Sequence, residues 1–532
     1  MKKLRWYDLI SVNLFWLALN IRNFSVGNTI MPYLVAGFIA ESYRNTALSV
    51  MVFSQLIIAM LAQPLFGLLS DRSTSRFGRR RPYIFVGVIL DLVFLTAVTF
   101  SWNYLSLFIA MLLIQFSMNI SHGPLQGLIP DLVPENQRGV ASGVKSIFEL
   151  LPLILTSLVI AQLLGAGQLY WAAFATGASL LVLMLLTMVL VKEEPLKEKP
   201  NVPLWPPMVR VLGLLLGIIV GGICGLACGA VIGGLAGLIA WPMAGPAIAK
   251  VVAFSLGGLV TMIVSVITGV WAGAGSALGE DLFETGQAFN WRAFWITCWS
   301  LVVNAVRSVN AMLRQKITFT AQQTSFTWWV VNRLMFLAAL TSLQRFAPYF
   351  LMSTFHISRE AGTAKYGNLI MVVGVFTLVS ALPAGWLSDR FGRKRLISYS
   401  GIIAGVGTAV LLVSIWIPED LVIYAAGLII GLGTGLFNSI NWALGTDLVP
   451  KAEAGRYLGI QNLAGAGAGM IGMMVGGPMA DLINAYQPGL GYFAIFGCYT
   501  LMFLASIIFL RWVKKGEAQA EPRPAAAGTG VG

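Results

Sequence analysis

G-L-L-S-D-R-S-T-S-R-F-G-R-R-R, from Gly67 to Arg81, returns as G-W-L-S-D-R-F-G-R-K-R, from Gly385 to Arg395, once a single gap is opened. A second string follows each copy in the same order. P-D-L-V-P-E-N-Q-R-G (Pro130 to Gly139) is matched by T-D-L-V-P-K-A-E-A-G (Thr446 to Gly455), and Gly143 by Gly459 at the same spacing of 316 residues. Two motifs in one order at nearly one spacing imply a duplicated unit. Each copy sits between long apolar runs, so the repeated unit is a bundle of apolar helices.

The 532-residue chain is 57% apolar and 11% charged, with mean hydropathy +0.79. A soluble domain cannot hide that much apolar surface behind so thin a polar coat. A spanning helix needs about 20 apolar residues. Runs of that kind cover 9–40, 46–70, 82–101, 104–127, 140–165, 168–191, 211–240, 251–275, 325–352, 363–388, 396–417, 421–446, 456–480 and 491–512. They do not alternate in the way barrel strands must. The expectation is an all-α membrane protein of about 14 segments. The basic stretch Met1 to Asp8 leads into an apolar run too long for a signal peptide, so a retained first helix is expected.

The net charge of +13 is topological. With the N-terminus inside, only Arg44, Lys250, Arg359 and Lys365 fall outside, while Arg22, Lys145, Arg333 and Arg345 lie within spans. The remaining Lys and Arg gather on one side, the positive-inside pattern of a cell (inner) membrane protein with both termini cytoplasmic. Contact with anionic lipids follows from it, and nucleic acid is not an expected partner. No phosphate loop, metal cluster or nucleophile–base set is present, so neither an enzyme nor a cofactor is expected. Cys224 and Cys228 read as small packing residues.

The organisation expected is a six-helix bundle at 1–191, an insert at 192–324, a second bundle at 325–512 and a disordered tail at 513–532. Within the insert, Gly213, Gly217, Gly221, Gly225, Gly229, Gly233 and Gly237 recur at every fourth position. Such a stripe lets another helix approach closely. It forms half of a hairpin (211–275) that either docks a partner or packs within its own chain. Residues 280–324 read as a cytoplasmic amphipathic segment, with Arg292, Arg307, Arg314 and Lys316 among Trp and Phe.

In its two repeats the chain resembles proteins of the major facilitator type. The loop S-D-R-S-T-S-R-F-G-R-R-R-P-Y-I (Ser70 to Ile84) resembles that of the glycoside–pentoside–hexuronide:cation symporters, above all their sucrose:proton symporter-like group. The stretch N-I-S-H-G-P-L-Q-G-L-I-P-D-L (Asn119 to Leu132) strengthens the likeness. The resemblance implies two bundles in pseudo-twofold relation, alternating access, and uptake or exchange of a sugar or glycoside with a proton. It implies a cytoplasmic gate in which Asp71 pairs with an Arg and lets go when the site opens inward. Asp71, Arg72, Arg76, Arg79, Arg80, Asp131 and Arg138 form that set, with Asp389, Arg390, Arg393 and Asp447 as the second copy. A different class, a membrane assembly or delivery protein docking through the glycine stripe, is the alternative.

Charges at depth are functional candidates because burying them is costly. Arg22, Asp91 and Glu149 qualify. Either one acid carries a coupling proton while Arg22 serves substrate or acid, or an Arg–acid pair fixes the packing. Two positions depart from the related symporters: Gln63 precedes Pro64, and Gln115 stands four residues before Asn119, where the relatives carry acids. Asn20, Gln55, Asn119, His122, Asn438, Asn441 and Trp442 offer amides and rings to a hydroxyl-rich solute. At the 316-residue spacing His122 faces Asn438. Arg345 is expected to snorkel to the outer interface.

Overall fold

The computed structural model describes residues 4–191, 193, 195–196, 205–277, 299–300, 302–304, 307, 321–448 and 454–513. The expected tail, and nearly all of the expected amphipathic segment, lie outside the described residues. The described chain is helical. It comprises α1 (Trp6–Phe38), α2 (Glu41–Asp71), α3 (Arg81–Thr99), α4 (Tyr104–Leu132), α5 (Arg138–Gly165) and α6 (Leu169–Leu190). Next come α7 (205–244) and α8 (246–277). The last six are α9 (Ala321–Phe355), α10 (Arg359–Phe391), α11 (Arg393–Val413), α12 (Asp420–Asp447), α13 (Ala454–Asn484) and α14 (Leu490–Phe509).

Among the described residues, 12 stretches are long and apolar enough to cross a membrane, one of them holding both α7 and α8. This is a multi-pass membrane protein. Helix starts follow local chemistry. The Asn103 side chain accepts from the Ser106 amide at 2.8 Å to cap α4, and Ser358 does the same for α10 at 3.3 Å. Pro82 opens α3, where its missing N–H leaves no helical bond unmade.

The same five packings occur twice. In α1–α6 they are α1 on α5, α1 on α6, α2 on α4, α3 on α4 and α3 on α6. In α9–α14 they are α9 on α13, α9 on α14, α10 on α12, α11 on α12 and α11 on α14. Smaller contacts between the sets run from α1 to α9 and α10, and the two most extensive packings are α2 on α13 and α5 on α10. Each is the image of the other when every helix is paired with the one eight places later, as a twofold relation requires.

The apolar core is divided unequally. One cluster (Leu9, Phe15, Trp16, Ile84, Leu125 and Met184 among others) belongs wholly to α1–α6, towards the face that carries residues 72–80. That surface, which also holds Arg390 and Arg393, is called the basic face below. The larger cluster runs through α9–α14 and takes from the first set only members within 26–52, 95–114 and 153–172, nearer the opposite face. The two sets therefore share one core at the far face and keep separate cores at the basic face.

The hairpin differs from expectation. The apolar runs predict a connection of some ten residues; instead α7 and α8 meet at Gly245 (φ 82°, ψ 170°) between Pro242 and Pro246. Only glycine takes that backbone conformation without strain. The glycine stripe is filled from inside the chain. A Cβ on Gly217 would lie 2.4 Å from Gly273 Cα, and one on Gly221 2.5 Å from Gly269 Cα. Gly225 lies against Ser265, Gly229 against Thr261 and Gly237 against Ala253. Of the two readings of the stripe, packing within its own chain is what the structure shows from Gly217 to Gly237, against α8. The other side of α8 rests on the second set: Gly258 on Met479, Cys498 Sγ towards Ser255 O at 3.5 Å, and Trp271 against Trp328 with ring centroids 6.1 Å apart.

Candidate functional site: a polar cleft between the two sets

Where the cores are separate, α1, α4 and α5 present polar side chains opposite α9 and α12. On the first side, Lys145 Nζ stands 4.0 Å from the centre of the Trp16 ring, which meets His122 edge-on at 5.5 Å. Lys145 pairs with Glu149, one turn later on α5, at 3.4 Å. Asn20 is half-buried, with its amide bonded to Trp16 O at 2.9 Å.

On the second side, Arg333 Nη1 donates to Asn441 Oδ1 at 3.0 Å. Asn441 is held in turn: its amide donates to Asn332 Oδ1 at 3.0 Å, and Trp329 Nε1 donates to its carbonyl at 3.1 Å. Asn332 completes the chain with Ser506 O at 2.9 Å. The Arg333 guanidinium lies 5.8 Å from the Trp442 ring, whose residue is 41% exposed. Glu149 lies close enough to Arg333 to act on its charge, so the two sides face one another. Asn438 stands one turn before Trp442 on α12, half-buried.

The expected residues separate into groups. Asn20, His122, Glu149, Asn438, Asn441 and Trp442 belong to the cleft region. Arg22 and Asp91 make a closed unit instead. Arg22 Nε and Nη2 bond the two carboxylate oxygens at 2.8 and 3.0 Å, Ser117 donates to Asp91 at 2.9 Å, and Ile114 O accepts from Arg22 Nη2 at 2.7 Å. Both residues are 3% exposed, and every strong bond is taken by α1, α3 or α4. The pair is satisfied entirely within the first set. Glu149, expected at depth in low dielectric, has a side chain 40% exposed. Asn119 ties its amide to Gln115 O of its own helix at 2.7 Å, and Gln55 is buried against Met31. Gln63 and Gln115 are half-buried on α2 and α4.

The gate residues are braced within each set. Arg79 and Arg80 both bind Asp131, Arg80 also reaching Asp71 at 2.9 Å and Pro124 O at 3.2 Å. Glu193 adds its carboxylate to the Arg80 amide at 2.8 Å. The second copy repeats the motif: Arg393 binds Asp447 and donates to Ala443 O at 2.7 Å. Arg138 donates to Pro130 O at 2.9 Å, while Arg76 and Arg390 lie against Phe77 and Trp386. None of these bonds joins the two sets. The Asp71–Arg80 pair is formed in this state, in which the two sets keep separate cores at that face. It holds the ends of α2, α3 and α4 together.

The hydrogen bonds that join the two sets lie at the opposite face, and the sequence motifs do not mark them. Residues Phe24–Ile30 of α1 are π-helical, followed by Pro32. In that register the residue-32 amide would bond Gly27 O, and proline has none to offer. Arg345 of α9 donates to Gly27 O instead, and Tyr349 donates to Pro32 O at 3.0 Å. Arg345 therefore reaches inward to α1 and does not snorkel. Asp481 of α13 accepts from the Thr46 amide and the Asn45 side chain, both at 2.7 Å, capping α2 from across the interface. Gln162 donates to Asn368 at 2.8 Å between α5 and α10. These partners sit far apart in the chain, and two of the acceptors are backbone carbonyls. The signals available beforehand were Arg345 as a charge within a span and Pro32 within the first run.

The family model described as Major Facilitator Superfamily matches residues 15–224 and 334–530. The chain is similar to the class H tetracycline resistance protein of Pasteurella multocida, 28% identical over 30% of this chain and 38% of that one. It is similar to sucrose transport protein SUT1 of Oryza sativa subsp. japonica, 31% identical over 16% of this chain and 20% of the other. The matched regions thus span between a fifth and two fifths of these curated relatives. Among solved structures, peptide transporter POT in complex with sulfate shares the fold. Its TM-score is 0.59 at 13% identity, over 95% of this chain and 93% of that one. The duplicated packing, the cleft between the sets and the match over most of the chain agree: this chain belongs to the Major Facilitator Superfamily.

Proposed function

We propose that the protein is a secondary transporter working by alternating access, carrying a sugar or glycoside in exchange for, or together with, protons. The observation that carries this reading is the unequal core: the sets are welded at one face and parted at the other around a polar cleft. A second state, parted at the far face, needs only the exchange of one set of inter-set contacts for another. The excess of Lys and Arg at the basic face supports placing it in the cytoplasm of an inner membrane, with both termini inside. The state seen is then open inward.

The sugar reading is supported by the Ser70–Ile84 loop, by the likeness to a sucrose transport protein over 110 residues, and by the amides and indoles of the cleft. Of the two acids considered for coupling, Glu149 is the one that stands beside the cleft. The test is uptake into proteoliposomes with an imposed pH gradient, using radiolabelled sucrose and 4-nitrophenyl β-D-glucoside. Accumulation should follow the gradient and vanish in Glu149→Gln, while counterflow exchange in that variant persists. Uptake indifferent to the gradient removes proton coupling. Failure of every neutral and acidic sugar to exchange removes the sugar.

A further inference from the structure

Arg333 is a cation placed in the cleft without a counter-ion. Among the described residues no carboxylate reaches ion-pair distance of it; Glu149, the acid that acts on its charge, is engaged with Lys145. Its one hydrogen bond goes to a neutral acceptor, Asn441 Oδ1, and its Nε is buried with no partner. Across the cleft, Trp16 Nε1 is a second buried donor with no partner, beneath the Lys145 ammonium. Among the described residues the charged groups there are Lys145, Arg333 and Glu149, a surplus of one positive charge.

Arg22, the arginine buried within the first set, is answered differently. Arg22 has a bidentate carboxylate and a backbone carbonyl. Around Arg333 the chain supplies instead a rigid frame. Asn441, Asn332, Ser506 and Trp329 lock the acceptor that orients the guanidinium and leave its Nε edge unanswered. An unanswered guanidinium edge is the geometry that receives two oxygens of a planar or tetrahedral anion. A neutral hydroxyl-rich solute would leave the charge uncompensated.

We infer that Arg333 is the anion-binding group of the transport site, and that the solute is an organic anion, a carboxylate or phosphate joined to a ring that lies against Trp442. This rests on the reading of the cleft as the substrate site, and it narrows a sugar or glycoside to an acidic one. The anion takes the guanidinium edge, Lys145 adds long-range attraction from the first set, and binding draws the two sides together. The surplus charge of the empty site is neutralised only when loaded.

The test uses the purified full-length protein and three probes: 4-nitrophenyl β-D-glucuronide, 4-nitrophenyl β-D-glucoside and 4-nitrobenzoate, each titrated by thermal shift. A ligand that binds only the folded state raises the melting temperature by mass action. The glucuronide should bind roughly tenfold or more tightly than the glucoside, as a hydrogen-bonded charge pair implies. Arg333→Gln should abolish that difference, and Arg333→Lys should keep part of it. The empty Arg333→Gln protein should melt no lower than wild type, because an uncompensated charge has been removed. A shift from 4-nitrobenzoate alone upholds the anion and sinks the glycoside. Equal or tighter binding of the glucoside in wild type, or no shift from any probe, overturns the assignment. The wild-type comparison decides even where a variant fails to fold.

Discussion

Arg22 and Asp91 form a buried charge pair whose partners all lie within the first set. The carboxylate is surrounded by donors from two helices, and the guanidinium has no direction left in which to meet a solute. Breaking one partner leaves the other charged and buried, which costs about 3–5 kcal/mol. Asp91→Asn should therefore lower the unfolding midpoint sharply. The double replacement Arg22→Met with Asp91→Leu should recover most of the loss, read by thermal or denaturant unfolding. Gradient-driven transport in the double variant should persist. A stable Asp91→Asn protein that has lost coupling would reassign the residue to the proton path. Sequence alone could name both residues, since charges in apolar runs stand out. It could not choose between their roles, because that depends on which helices surround them. Arg333 was equally visible as a charge within a span, yet its lack of a counter-ion only emerges from the packing of α9 against α12.

At the scale of elements, the two halves were legible because duplication left the same strings in both, and because the helices that carry them are continuous apolar runs. The hairpin was legible as a hairpin, though not in its turn or its partner. Gly245 bends the chain within a stretch that reads as connecting loop, and the stripe on α7 finds its complement in Gly257, Thr261, Ser265, Gly269 and Gly273 of α8. Any side chain on that face meets backbone. Gly221→Val should push α7 from α8 at an overpacking cost of about 1–3 kcal/mol, measured as a lowered melting temperature. Ile223→Ala, on the exposed side of α7, should leave the melting temperature within error. Equal effects from both would mean that the stripe is not the packing face. The π-helical stretch of α1 was not legible at all, since Pro32 in an apolar run usually signals only a kink. Its consequence is a carbonyl offered sideways to Arg345.

At the scale of the whole molecule, the far-face bonds hold one state against another. Asp481 caps α2 across the interface, and a lost cap costs about 0.5–2 kcal/mol. Asp481→Ala should therefore shift the population towards the state open at the far face by several-fold or more, without unfolding either set. The most direct measurement is a pair of spin-label distances in a protein whose four native cysteines have been replaced. One pair, Val140→Cys with Phe391→Cys, spans α5 and α10 at the basic face. The other, Tyr43→Cys with Tyr486→Cys, spans α2 and the turn that follows α13 at the far face. All four native side chains are exposed. Alternating access predicts that Asp481→Ala lengthens the far-face distance and shortens the basic-face distance together, with two discrete populations exchanging weight. Distances that both lengthen, or a basic-face distance that stays fixed while the far face opens, would contradict it.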